Sequence, residues 1–280
     1  MALVLSGGGA KGAYEAGVAV AFVERRAPIR LVTGSSAGAL NAAMLTDGRV
    51  DALEALWRGL TRPQVYALRP SVFFAGLLPG WFTLLAVDRA GSLFDPQPLR
   101  ELISASLDLG RVRASPVRLL VVTTDLARRE RRLFDNATVS VEALMAAAAV
   151  PGAFPPVKVE GVPLVDGGLI GRAPVLEALE SGVPVARVVV VMSYAPGEGG
   201  TAPTTMRGII QEAFEMSMIH QITRDTELAR LKYPAVDVQL LTPSAPLLLR
   251  PLDFDTDNLA RALDRGKADA VACMEAWRAR

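Results

Sequence analysis

The strongest constraint on the fold is a pattern that occurs twice near the N-terminus. A short apolar run, Leu3-Val4-Leu5, ends at Gly7-Gly8-Gly9, and a helical pattern follows from about Lys11 to Arg26. Leu31-Val32-Thr33 then ends at Gly34, and a helix rich in Ala and Leu begins near Ala37. A strand that stops at glycine and passes straight into a helix is the unit of a parallel sheet, because parallel neighbours need a crossover connection. Val117–Thr123 and Val185–Met192 are apolar on both faces, as strands buried between two layers are. Val236–Leu241 is a weaker strand, since Asp237 and Gln239 alternate with apolar residues. Helical patterns separate these runs at Val50–Leu60, Pro98–Leu107, Val141–Ala149, Pro174–Glu180, Met206–Leu231 and Asn258–Trp277. The expected fold is α/β, with a mostly parallel central β-sheet flanked by helices on both faces.

Composition removes several classes of function. The chain has 280 residues, 51% hydrophobic and 21% charged, which is globular composition. With no internal repeat and no low-complexity linker, residues 1–280 are expected to form a single domain. Gly197-Glu198-Gly199-Gly200 reads as a loop within it. Thirty basic residues against 29 acidic ones leave a formal charge of +1, so no nucleic-acid partner is expected. A single cysteine, Cys273, excludes an intramolecular disulfide, and a single histidine, His220, excludes every two-histidine metal motif. No metal and no organic cofactor are expected. Ala2-Leu3-Val4-Leu5 is too short for a leader's apolar core and no basic residue precedes it, so a cytoplasmic protein is expected, with peripheral membrane association left open. Oligomeric state is left open.

Three glycine-rich sites carry chemistry. In Ser6-Gly7-Gly8-Gly9-Ala10-Lys11-Gly12, successive backbone N–H groups can converge on a negative oxygen at a helix start. The same stretch also fits the dinucleotide-binding glycine pattern. That pattern wants an acidic residue about 20 positions on, where Leu31-Val32-Thr33-Gly34 has none. Gly34-Ser35-Ser36-Ala37-Gly38 is G-x-S-x-G between strand and helix, the nucleophile elbow, with Ser36 at its centre and Ser35 out of position. A serine-rich turn and helix cap is the plainer reading of that motif. Asp166-Gly167-Gly168 follows the apolar run Val162-Pro163-Leu164-Val165. Alone it would be a turn; beside an activated serine it offers a proton acceptor.

Together these motifs resemble the patatin-like phospholipase family. Leu93-Phe94-Asp95, Thr123-Thr124-Asp125-Leu126 and Pro151-Gly152-Ala153-Phe154-Pro155-Pro156-Val157 add to the likeness, which is strongest over about residues 3–176. The resemblance implies a serine acyl hydrolase with a Ser-Asp dyad, acting on acyl esters of lipids through an acyl-enzyme. Ser36 is then the nucleophile and Asp166 the base. The N–H groups of Gly7, Gly8 and Gly9 form the oxyanion hole, with the donating pair left open. Lys11, Gly12, Gly34, Gly38, Gly167 and Gly168 support the motifs. One departure stands out: the family often has asparagine before its Ala/Val-Pro, and here Arg172-Ala173-Pro174 stands there.

The order Ser36, Asp166, His220 would also suit a Ser-Asp-His triad, but His220 falls inside a long helical pattern and reads as a partly buried helix residue. Residues 72–87 are unusually apolar, with Trp81 and three breakers; they are either core or a flap and peripheral membrane contact. Arg128-Arg129-Glu130-Arg131-Arg132 is a solvated turn between strands or a headgroup contact. Lys11 reads as a surface residue at a helix start and Cys273 as a core-facing one, while Asp95 and Asp125 have no derivable role. The competing functions are a non-catalytic lipid-binding protein of the same fold and a dinucleotide-binding enzyme.

Overall fold

The computed structural model describes residues 1–69, 71–72, 92–195 and 202–278. The 72–87 stretch beyond Val72 and the Gly197–Gly200 loop therefore lie outside the described residues. An eight-stranded mixed sheet forms the centre. Five strands run parallel in the order β10 (Asp237–Leu241), β9 (Arg187–Val191), β1 (Ala2–Leu5), β2 (Leu31–Gly34), β5 (Arg118–Asp125). Beyond them the sheet turns antiparallel. Strand β6 (Glu130–Asp135) pairs with one edge of β5, β8 (Val162–Asp166) with the other, and β7 (Val157–Val159) with β8. A separate two-stranded ribbon joins β3 (Ala67–Leu68) to β4 (Phe94–Asp95). The mostly parallel sheet of the expectation is found. Its antiparallel portion is an addition that apolar periodicity did not announce.

Alternation along the strands puts helices on both faces. Leu3, Leu5, Val189, Val191, Leu119 and Val121 join one core cluster, while Ala2, Val4, Val188, Val190 and Leu120 join the other. The first cluster is completed by α1 (Gly12–Glu24), α2 (Ala37–Asp47), α3 (Val50–Gly59), α7 (Val141–Ala147) and α10 (Thr256–Arg278). The second is covered by α8 (Val175–Glu180) and α9 (Met206–Lys232). Short helices α4 (Arg62–Val65), α5 (Gln97–Ser106) and α6 (Leu109–Ala114) complete the order. Helix α1 is buried all round because α10 closes over it. The two cross at Gly17 and Gly266, where a Cβ would meet the Leu263 and Tyr14 carbonyl oxygens at 2.0 and 2.1 Å. Phe22 stacks on Trp277 at 5.5 Å. Among the described residues no helix is long and apolar enough to cross a membrane.

This topology chooses the site. Helix α1 leaves β1 on one face, and the chain after β9 reaches α9 on the other, so the ends of β1 and β9 flank a switch point. In open α/β sheets the binding crevice forms at such strand ends.

Candidate active site

Strand β5 acts as a ruler that brings the two key motifs together. β2 pairs along one edge of β5 and stops with Gly34 opposite Val121. β8 enters on the same edge from the other end and stops with Asp166 opposite Thr123. The edges must be the same, because β6 already occupies the far edge of β5 at both places. The elbow and the aspartate turn therefore meet end to end, roughly 7 Å apart along the strand. The end of α7 ties both: Ala147 O accepts Ser36 N–H at 3.1 Å and Ala149 O accepts Asp166 N–H at 3.0 Å.

Ser36 has φ 55° and ψ −137°, a conformation that non-glycine residues avoid. Such strain holds a side chain out at the head of a helix. The surrounding glycines make the turn sterically possible. A Cβ on Gly38 would stand 2.4 Å from Leu5 O and 2.8 Å from Gly7 N; one on Gly7 would stand 2.7 Å from Ser36 Cβ. Gly34 faces Gly38 O, Gly12 faces Ala37 and Trp57, and Gly167 faces Val122 O at comparable distances. Ser35 is fully buried and donates to Arg172 O at 2.5 Å, locking the elbow to the loop after Asp166.

Asp166 is 2% exposed. Its Oδ1 accepts Gly168 N–H at 2.7 Å, and among the described residues Oδ2 has no hydrogen-bond partner within ordinary limits. Burial pushes the carboxyl above the ordinary aspartate range, opposed by the Arg172 charge, the Gly168 N–H and the Ser36 hydroxyl, in that order. The serine hydroxyl is thus close enough to favour the charged carboxylate without a tight ground-state bond. Contacts of this kind often tighten only once substrate arrives.

The glycine loop has three successive positive-φ residues, Gly7, Gly8 and Gly9. Its donors are unequal. Gly7 N–H is occupied, donating to Glu15 Oε1 at 2.8 Å. Among the described hydrogen bonds the N–H groups of Gly8 and Gly9 have no acceptor, and both residues line the cavity with Ser36. Ala10 N–H donates to Pro251 O at 2.8 Å and so anchors the loop to the 250–255 segment.

Glu15 gave no sequence signal, because it looks like an ordinary first-turn acid of a helix. It is fully buried, and its Oε1 also accepts the Ser6 hydroxyl at 3.0 Å. Burial pushes its carboxyl up to about 8, against the donors at Ser6 and Gly7 and the Arg172 charge. The folded protein then holds a proton that the unfolded chain releases near 4.5, so this group's contribution to stability falls as pH rises through that window. Glu15→Gln keeps the acceptor and removes the titration. Its melting temperature is expected to match the parent's at about pH 4 and to exceed it at about pH 8. Calorimetry at both values checks this, and a parallel loss at both would contradict it.

Several expectations are corrected. Lys11 is not a surface residue: it is 2% exposed, with Nζ 4.0 Å from the Tyr194 ring centre and 3.7 Å from Glu215 Oε2. His220 is exposed on α9 rather than partly buried, and it does not line the cavity. Cys273 is half-buried, with Sγ 3.7 Å from Gln239 Oε1. In the basic run, Arg128, Arg131 and Arg132 pair with Glu130, Glu177 and Glu160, and residues from Glu130 on belong to strand β6. Asp95 and Asp125 serve turns: Asp95 Oδ1 accepts Gln97 N–H at 3.0 Å, and Asp125 Oδ1 accepts Ala127 N–H at 2.9 Å. Among the described residues no cluster suits a metal ion.

In front of Ser36 lies a cavity of about 1530 Å³. Its walls are mainly apolar, Met44, Leu56, Trp57, Leu99, Leu102 and Val65 among them. Tyr66, Phe94, Phe154 and Phe254 form an aromatic group, Tyr66 lying 4.4 Å from Phe94 and 6.1 Å from Phe254 between ring centres. Phe94 N–H donates to Ala153 O at 2.9 Å, which joins two of the short stretches singled out in the sequence.

The chain is similar to known proteins in sequence and in fold. An uncharacterized NTE family protein of Mycobacterium tuberculosis (strain ATCC 25618 / H37Rv) is 30% identical over 203 residues, covering 72% of this chain and 51% of its own length. One of Mycobacterium bovis matches to the same extent. The chain thus spans about half the length of the curated relatives it matches. The crystal structure of VipD from Legionella pneumophila shares the fold, with a TM-score of 0.52 at 16% identity, over 99% of this chain and 67% of that one. The model of patatin-like phospholipases matches residues 3–179. That match starts at β1, runs past the aspartate turn and takes in more than half of the sequence, so the chain belongs to the patatin-like phospholipase family.

Proposed function

We propose that this protein, read as a single domain over residues 1–280, is a serine hydrolase cleaving acyl esters of lipids through a Ser36–Asp166 dyad. The observation that carries the reading is the strained Ser36 lining a large apolar cavity, its hydroxyl acting on a buried aspartate whose Oδ2 has no other hydrogen-bond partner among the described residues. Ser36 Oγ attacks the ester carbonyl carbon while its proton passes to Asp166. Burial makes this carboxylate a stronger base than one in water. The negative oxygen of the tetrahedral intermediate is received by the N–H groups of Gly8 and Gly9, a term worth about 3 kcal/mol per donor. Gly7 instead holds the loop through Glu15. The carbon–oxygen bond to the alcohol breaks as Asp166 returns the proton to that oxygen. Water then attacks the acyl-serine, gives its proton to Asp166, and the fatty acid leaves as Ser36 recovers its hydrogen. The apolar walls hold the acyl chain and exclude water from the site. No step calls on a metal or an organic cofactor.

Fluorophosphonate labelling followed by peptide mapping tests this. One adduct is expected, on Ser36 and absent from Ser36→Ala, and Ser36→Ala is expected to lose ester turnover by at least about 10³-fold. An unlabelled parent protein, with liposomes present, would leave a lipid-binding protein of the same fold as the better reading.

A further inference from the structure

The arginine that stands where the family often carries asparagine takes no part in the reaction just described. Arg172 is 3% exposed and is one of the residues lining the cavity that holds Ser36. Its backbone is fixed, because its carbonyl oxygen accepts the Ser35 hydroxyl. The guanidinium packs on Gly168, where a Cβ would stand 2.5 Å from Nη1. Among the described residues Nε has no hydrogen-bond partner, and no carboxylate oxygen stands within ion-pair distance of the guanidinium. Its charge acts on Asp166 and Glu15 from beyond bonding range.

A guanidinium stays protonated in proteins, and a buried charge without a partner is costly. Its planar fork fits the oxygens of a phosphate or carboxylate. The other basic residues on the cavity wall, Arg62 and Arg250, are exposed, as are Asp253 and Asp255 near them. Glu215, also on the wall, stands 3.7 Å from Lys11. Arg172 is therefore the buried cation of the cavity with bonding capacity to spare, among the described residues. Because Arg172 and Ser36 both act on Asp166, an anion held by Arg172 would sit close to a bound ester carbonyl. In an acylated glycerol phosphate the phosphate and the ester lie on neighbouring or next-neighbouring carbons.

We propose that Arg172 forms an anion subsite beside Ser36 that takes the phosphate of an acylated glycerol phosphate. This rests on the acyl-ester reading above and adds the headgroup chemistry to it.

Binding is tested apart from turnover. Glycerol 3-phosphate and inorganic phosphate are titrated calorimetrically into full-length Ser36→Ala protein, alone and with Arg172→Met or Arg172→Lys. Glycerol 3-phosphate is expected to bind more tightly than inorganic phosphate. Arg172→Met is expected to weaken it at least about ten-fold, and Arg172→Lys less, since lysine keeps the charge and loses the fork. Absent binding, equal affinity for the two anions, or indifference to both substitutions would overturn the subsite. Turnover is the second readout. With Ser36 intact, the kcat/KM ratio of 1-acylglycerol 3-phosphate to uncharged 1-monoacylglycerol is expected to fall at least about ten-fold in Arg172→Met. Equal falls for both esters would mean that Arg172 acts only through Asp166, and would overturn the proposal. Glycerol 3-phosphate held through Arg172 in a protein whose Ser36 takes no label would keep the subsite and remove the hydrolase reading.

Discussion

Asp166→Asn is expected to lower kcat by about 10²–10⁴-fold and to raise the melting temperature at neutral pH. The amide reproduces the shape of the carboxyl and keeps its Oδ1 acceptor for Gly168 N–H. It places an NH₂ where Oδ2 stood, and that group cannot take the Ser36 proton. The gain in stability follows from burial. A folded carboxyl raised above its unfolded value of 3.8 binds a proton more tightly in the native state. Its contribution to stability is therefore lost as pH rises from the unfolded value through the folded one. An uncharged amide carries no such loss. The same shift places the acid limb of the parent's kcat/KM profile above 3.8, activity rising as Asp166 ionises. Rates measured from about pH 4 to about pH 9, with calorimetry of both proteins, check all three points. Full activity in Asp166→Asn would end the dyad assignment, and a lower melting temperature at neutral pH would refute the burial argument.

The second large effect belongs to Gly38→Ala. The added methyl would stand 2.4 Å from Leu5 O and 2.8 Å from Gly7 N, and both are backbone atoms that cannot rotate aside. Helix α2 must then move off the end of β1, or the glycine loop off the elbow. A loss of at least about 3 kcal/mol is expected, or roughly 6–12 °C in melting temperature. Fluorophosphonate labelling of Ser36 should fall even at temperatures where the variant is folded, because the loop and the elbow no longer meet. Gly59→Ala is the control. Its Cβ meets nothing within 4 Å, and Gly59 ends helix α3, so a change between zero and a gain of about 1 kcal/mol is expected. Equal melting temperatures for Gly38→Ala and the parent would show that the elbow is looser than its geometry implies.

The inner parallel strands were legible because they are covered on both faces and so are written as apolar runs, as in Val188–Val191, whereas β10 at the edge alternates Asp237 and Gln239 with apolar residues. The antiparallel strands were not. Glu130-Arg131-Arg132 reads as a charged turn, yet it is strand: β6 is bonded to β5 along one side only, so its side chains remain free to be charged. Helices α4 and α6 are too short to show a period.

Within the site, residue types and local geometry were written into the sequence. Glycines at Gly7, Gly34 and Gly38 announce close backbone approach, and Gly-x-Ser-x-Gly between strand and helix announces a serine held at a sharp turn at the head of a helix. Those are properties of a few adjacent residues, and adjacent residues are what a sequence displays. Burial and charge depend on residues far apart in the chain. Lys11 is buried because Tyr194 and Glu215 close around it, and Glu15 lies under Gly7 because α1 is sealed by α10. Ser36 meets Asp166 because two strands end on one edge of β5, and among the described residues no carboxylate comes within ion-pair distance of Arg172, although Asp166 and Glu15 act on it from farther off. The chemical groups were thus determined locally by the sequence. Their protonation, pairing and mutual reach were decided only by the tertiary structure, since desolvation and Coulomb energy depend on distances that only the folded chain defines.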